Sequence, residues 1–350
     1  ADTIGGWISH LFEYITGALK DVTFEVYVLE DIQAADGESE DYYKKDELIA
    51  TITTDETGIA KLSDLPLGRY YVKEKETAEG YVLDGEIREI DLTYVDQDTA
   101  EVTWTGDWQN NRQKVEVSVL KKEKDSDRVL EGAVFALSAK EDITNKDGDV
   151  VLEAGTVIEE KATGEDGKLT FEADLPIGFS YTVKETSPAP GFATTDEVQE
   201  FTFTAESSGK ATVSYEFTFE DEPTVFEFTK TSLTTGEEIE GAKLTVTDEN
   251  GEIVDEWVSG KEPHIIKELV VGQTYTMTEV LPAPGYVTAE SIQFTVEDTA
   301  EVQKIEMKDD VTKVEISKTD IVGEELPGAK LTILDENGEV VESWTSTEEP

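Results

Sequence analysis

The sequence predicts an all-β protein built from tandem β-sandwiches. Short β-branched and aromatic runs alternate with polar residues, as in "YTVKE" (181–185), where Tyr181, Val183 and Glu185 share one face. Turn signals such as "DETG", "EDGK", "LPIG" and "DENG" punctuate those runs. The chain also repeats itself: "GAKLT", then "DENGE", then a tryptophan occur in 228–257 and again in 316–344. A period of roughly 90–110 residues is too long for a solenoid unit and fits whole domains in series.

Residues 1–19 form a lead-in. Trp7, Ile8, Leu11, Phe12, Ile15 and Leu19 follow helical spacing, which predicts a short amphipathic helix packed on the module behind it. Its polar face lacks the basic cluster of a membrane-surface helix. Module 1 follows over 20–113, module 2 over 114–223 and module 3 over 224–311; residues 312–350 read as a partial fourth. The joints "NNRQK", "DEPTV" and "DDVTK" are short and not rich in Gly or Ser, so little bending between modules is expected.

The bulk numbers exclude several functions. A formal net charge of −51 over 350 residues repels nucleic acids and anionic membranes. No stretch is long enough to insert into a membrane. With no cysteine there is no disulfide, no thiol catalysis and no thiolate zinc site. The only histidines, His10 and His264, lie far apart in sequence, a poor basis for a triad or a metal centre. "NKDGDVVLE" places Asn145, Asp147 and Asp149 at alternate positions, but its glycine and glutamate do not fit a calcium loop, so a hairpin turn is expected. No cofactor is implied. The chain does not begin with Met and reads as an excised piece, with further modules expected beyond Pro350.

Against this bland background, polar residues recur on the inward faces. Glu74, Glu185 and Glu279 each follow two core positions of one strand. Lys121 ends the stripe Val115, Val117, Val119; Lys230 ends Phe226, Phe228; Lys318 ends Val314, Ile316. Closing strands end similarly, with Asp221 after Tyr215, Phe217 and Phe219, and Asp309 after Ile305 and Met307. In "WTGDWQN" the same parity aligns Trp104, Trp108 and Asn110, preferring Asn110 to Asn111. A lone lysine or glutamate at a strand end ordinarily reaches water. Repetition of the order Lys, Glu, Asp in modules 2 and 3 speaks for burial, which costs several kcal/mol unless compensated.

Either a buried ion pair or a covalent bond can compensate. Desolvation favours a neutral, nucleophilic lysine amine and a protonated glutamate. That proton can polarise an Asp or Asn side-chain carbonyl and shuttle during attack. The product is an amide, with loss of water from Asp or ammonia from Asn. Proximity in the fold supplies roughly 7–11 kcal/mol of the barrier.

These residues resemble the CnaB-type, or SpaA-like, domains of Gram-positive pilins and surface adhesins. The resemblance rests on a first-strand lysine before an "LxGA"-like segment ("KKEKDSDRVLEGA", "KTSLTTGEEIEGA"), on "Y-x-x-x-E-x-x-x-A-x-G-[YF]", and on a closing Asp or Asn. It covers residues 20–350. It implies a transthyretin-like (reverse-Ig-like) sandwich with a self-formed isopeptide bond. By this resemblance Lys121 and Asp221 are joined with Glu185 as proton shuttle, and Lys230 and Asp309 with Glu279.

Two modules depart from the pattern. Counting back from Leu19, as from Leu130 to Lys121, lands on His10, so Glu74 and Asn110 have no amine and no bond is expected in module 1. Module 4 has Lys318 but neither the glutamate nor the acceptor strand, so Lys318 should be unbonded within this chain. The resemblance further implies an extracellular, cell-surface location and a stiff stalk rather than a turning-over enzyme, since the reacting groups are consumed. Wall anchoring is inferred from the family alone: "ELPGA" resembles a sortase signal only superficially. The alternative is an adhesive region in which residues 1–113 contact a host extracellular protein or glycoprotein; a pull-down with that piece separates the two.

Overall fold

A computed structural model describes residues 2–8, 11–34, 42–99 and 101–349. Among them all regular structure is β-strand, and no helix is long and apolar enough to cross a membrane. The chain forms two compact units. One comprises residues 1–224 with the short pieces 268–271 and 298–300; the other holds the remainder.

Module 2 has two layers. A four-stranded sheet runs in the order Val157–Ala162, Val134–Ala139, Ser180–Ser187, Val198–Thr202; a three-stranded sheet runs Lys168–Phe171, Lys114–Glu123, Thr212–Asp221. The alternation explains the packing. Val117, Val119, Phe135, Leu137, Tyr181, Val183 and Phe219 point inward and form one buried core. First and last strands run parallel, in register from Lys114↔Thr212 to Glu123↔Asp221, so the module begins at one end of the strand pair and finishes at the other. Module 3 repeats this arrangement. Its sheets run Ile253–Val258, Lys243–Thr247, Thr274–Leu281, Ile292–Thr295 and His264–Lys267, Val225–Ser232, Val302–Asp309, and Val225–Ser232 again pairs parallel with the closing strand.

Among the described residues module 1 keeps only the four-stranded layer, in the order Leu48–Thr53, Thr23–Val28, Gly68–Glu76, Ile87–Leu92. The expected closing strand at "WTGDWQN" does not form. Trp104 and Trp108 do pack on the module core, and Phe24 and Trp108 lie 4.9 Å apart between ring centroids. Pairing is what is missing, because a closing strand needs a first strand beside it. The first strand expected at "VEISK" in module 4 is likewise absent, and Lys318 is exposed. There Lys330–Leu334 and Val340–Thr345 pair as a hairpin, and Thr319 bridges to Glu325. The Asn145–Asp149 segment is a hairpin turn, with Asn145 Oδ1 accepting the backbone N–H groups of Asp147 and Asp149.

The lead-in is not a helix. Thr3–Ile8 and Leu11–Ile15 form an antiparallel hairpin, and His10 lies outside the described residues. Apolar spacing fits both periods over so short a stretch, but β-branched and aromatic residues dominate, and Gly5 and Gly6 disfavour a helix interior. A side chain at Gly5 would sit 2.8 Å from Ile15 Cγ1, so the glycine permits close strand approach. The hairpin also packs elsewhere than expected: Phe12 joins the core of module 2, with Ile4, Trp7 and Tyr14 against it. Arg112 stacks on the Tyr14 ring at 3.7 Å and pairs with Asp174, whose carbonyl accepts the Tyr14 hydroxyl at 2.8 Å. Phe12→Ala should therefore detach the hairpin, at a cost of about 3 kcal/mol. Faster amide exchange over residues 2–15, with module 1 unchanged, is the expected reading.

Candidate functional site

The inward polar residues of modules 2 and 3 meet between the layers. Lys121 reaches the three-stranded layer's core face because it continues the stripe of Val117 and Val119. Its Nζ lies 2.9 Å from Glu185 Oε1 and contacts Asp221 Oδ1 directly. Exposures are 0% for Lys121, 1% for Glu185 and 2% for Asp221. Phe135 lies beside the amine, with its ring centroid 5.5 Å from Nζ, and Phe219 packs on Phe135. In module 3, Lys230 Nζ lies 3.2 Å from Glu279 Oε1 and contacts Asp309 Oδ1, with all three side chains equally buried.

Each trio holds one amine and two carboxyls, so with every group ionised it would bury a net negative charge. Solvation opposes that strongly. Burial pushes the Asp221 carboxyl up to about 7; the Lys121 hydrogen bond opposes the rise and the neighbouring Glu185 charge adds to it. Asp221 thus keeps a proton well above the usual carboxylate range. Glu185 Oε1 and Glu279 Oε1 are in ion-pair contact with the amines, whereas Asp221 Oδ2 and Asp309 Oδ2 are buried without a hydrogen-bond partner. Such orphans are expensive in a finished core.

Local backbone features fix the glutamates. Opposite each lies an apolar residue of the neighbouring strand, Phe24, Phe135 or Leu244, and a register shift follows immediately on the C-terminal side of Glu74, Glu185 and Glu279. Such a bulge re-aims side chains. The outer oxygen of each glutamate accepts a backbone N–H ten residues on, from Asp84 at 2.8 Å, Thr195 at 2.9 Å and Ala289 at 2.7 Å. That constant spacing comes from the turn in "A-x-G-[YF]", whose Gly80, Gly191 and Gly285 have φ of 83°, 89° and 89°. The aromatic residue after each glycine bridges to the closing segment, as Tyr81↔Arg112, Phe192↔Pro223 and Tyr286↔Val311. Sequence reasoning missed the bulge and the amide. The common Glu-to-turn spacing in all three copies carried the signal.

Module 1 keeps this frame without the lysine. Glu74 is 5% exposed, and Asn110 Nδ2 donates to both of its oxygens at 2.8 Å and to Val82 O at 3.0 Å. Asn111 is exposed. Among the described residues Glu74 makes no ion pair, and the adjacent Lys73 and Lys75 turn outward to Glu25. Lys318 meets neither a buried glutamate nor an acceptor. Among the described residues there is no cluster of side chains able to hold a metal ion.

Comparison with known proteins agrees with this architecture. The family model for the SpaA prealbumin-like fold domain matches residues 14–108, 115–217 and 224–311. Among solved structures, the TIE protein of Bacillus anthracis is similar at 26% identity and a TM-score of 0.53, over 84% of this chain and 48% of that one. The chain therefore spans about half the length of that relative. The major pilin subunit BcpA of Bacillus cereus matches at 16% identity and a TM-score of 0.40, over 84% and 96% of the two chains. The shaft pilin SpaA of Lactobacillus rhamnosus GG matches at 16% and 0.26, over 58% and 98%. No curated protein matches. With three tandem prealbumin-like, that is transthyretin-like, modules spanning most of its length, the chain belongs to the SpaA family.

Proposed function

We propose that the chain is a stalk segment of a Gram-positive cell-surface adhesin or pilus, braced by self-formed Lys121–Asp221 and Lys230–Asp309 isopeptide bonds. The observation that carries this reading is the direct contact of each lysine amine with an aspartate carboxyl inside the buried core, beside a fixed glutamate, in two successive modules. Each amine nitrogen attacks the aspartate Cγ, one C–O bond breaks, and water leaves. Glu185 or Glu279 moves the proton from nitrogen to the departing oxygen. Each residue acts once, so no turnover follows.

The bond would tie first strand to last strand within a parallel pair, so a pull on the two ends of a module would load an amide rather than shear the hydrogen bonds between the two strands. An amide also resists reduction, which suits an extracellular protein without cysteine. Intact mass tests the reading. The chain should weigh two waters less than its sequence, Glu185→Ala and Glu279→Ala should each restore one, and Asp221→Asn should exchange one lost water for ammonia. A mass equal to the plain sequence would sink the proposal.

A further inference from the structure

Among the described residues module 1 is a sandwich lacking its second layer, yet it retains two of the three reacting positions in the frame of the finished modules. Asn110 stands where Asp221 and Asp309 stand. The backbone N–H of Val82 bonds to Asn111 O, that of Ala193 to Glu222 O, and that of Val287 to Asp310 O, in each case the residue after the acceptor. Glu74 has the same bulge and the same N–H ten residues on as Glu185 and Glu279. What is missing is the strand that pairs with the closing segment. From Val102 to Asn110 the backbone makes no backbone hydrogen bond among the described residues, whereas Thr212–Asp221 is paired along its whole length.

The core shows the same gap. Leu65 and Leu92 align with Leu175 and Phe203 of module 2. The latter two are 0% exposed, whereas Leu65 and Leu92 are only half-buried. They open into a groove of about 230 Å³ together with Leu67, Tyr94, Val95 and Val102. Phe24 is correspondingly more exposed than Phe135.

We propose that module 1 is an acceptor for a β-strand carried by a different polypeptide, of alternating apolar residues ending in lysine, and that it joins that lysine to Asn110. Modules 2 and 3 define the occupant, because the strand filling this place in each carries two or more inward apolar residues and then the lysine. Docking is strand addition to an unpaired edge. The lysine Nζ attacks Asn110 Cγ and the Cγ–Nδ2 bond breaks. Glu74, 2.8 Å from Nδ2, takes a proton from the amine and hands it to the departing nitrogen, which leaves as ammonia. The inference rests on the chemistry proposed for modules 2 and 3, whose lost waters are read from the same spectrum before any partner is added.

The probe is a synthetic copy of residues 223–232, "PTVFEFTKTS", which contains one lysine. Incubated with the whole chain, it should give a covalent adduct weighing chain plus peptide less one ammonia, located at Asn110 by fragmentation. A peptide with methionine in place of lysine should give none. Glu74→Ala and Asn110→Ala should abolish the adduct, while Asn110→Asp, which keeps the shape, should form it with loss of water. No adduct with the lysine peptide, or one that persists in Asn110→Ala, overturns the proposal even where modules 2 and 3 have lost their waters. A covalent dimer in the peptide-free control overturns the assignment to a different polypeptide and gives the place to a second copy.

Discussion

Glu185→Ala should lower the stability of module 2 by about 4–5 kcal/mol, which for a module of this size moves its calorimetric transition down by roughly 20 °C. The figure follows from the loop that the bond would close: Lys121 and Asp221 are 100 residues apart, and a cross-link removes that closure entropy from the unfolded chain. Module 3, in which Lys230 and Asp309 are 79 residues apart, should lose nearly as much in Glu279→Ala, since the dependence on length is logarithmic. The two substitutions should act on separate transitions, one for each module.

The same substitution separates a bond from an ion pair. If Lys121 and Asp221 were merely paired, removing Glu185 would take one of two carboxyls from beside one amine. The remaining Lys–Asp pair would be neutral and still buried, and the cost would be the loss of one bond to Thr195 N and a small cavity, about 1–3 kcal/mol. Lys121→Met would then be the damaging change, because it strands two buried carboxyls. With a bond, Glu185→Ala and Lys121→Met both abolish the cross-link, so each falls below the wild type by the cross-link's contribution of about 4–5 kcal/mol on top of its local cost. A drop of about 4–5 kcal/mol or more from the wild type in Glu185→Ala is expected; a drop of only about 1–3 kcal/mol would leave only the ion pair.

The site was legible in the sequence because its geometry is local. Strand parity alone puts Lys121 on the face of Val117 and Val119, Glu185 on that of Tyr181 and Val183, and Asp221 on that of Phe219, and the fold turns all three faces inward. The errors lie where structure depends on a distant partner. "WTGDWQN" and "VEISK" alternate as strands do, but a strand also needs a neighbour, and neither finds one. The lead-in failed for a different reason: over sixteen residues, spacings of three and four cannot exclude a hairpin, and the informative feature was composition around Gly5 and Gly6. Glu74 has no lysine in its own module to serve. Its hydrogen bonds from Asn110 Nδ2 and Asp84 N satisfy it without one.

Bond formation in module 2 should slow as pH rises from 7 to 9, by about tenfold per unit, the signature of a single lost proton. Attack requires a carboxylic acid at Asp221, since a carboxylate is a poor electrophile, and burial holds that acid protonated up to about 7. The sign is independent of where the remaining protons sit. A neutral trio can be written with ammonium and one carboxylate, or with free amine and two acids, and transfer within it interconverts the two; loss of one proton from the whole leaves a negative, unreactive set. Linkage has the same sense for the folded but unbonded module. Its Asp221 binds a proton more tightly than the unfolded chain's, whose ordinary value is 3.8. The stability from this group is full below that value and is lost as pH rises through about 7, until the bond removes the titration altogether. The measurement starts from Glu279→Ala chain recovered unfolded in guanidinium, with its mass equal to the plain sequence, so that one bond alone can form. On dilution into buffers from pH 5 to 9, loss of one water is followed by intact mass. A rate that climbs through pH 7–9 would mean that deprotonation of a solvent-like lysine controls the step, and the buried acid would have no part in it.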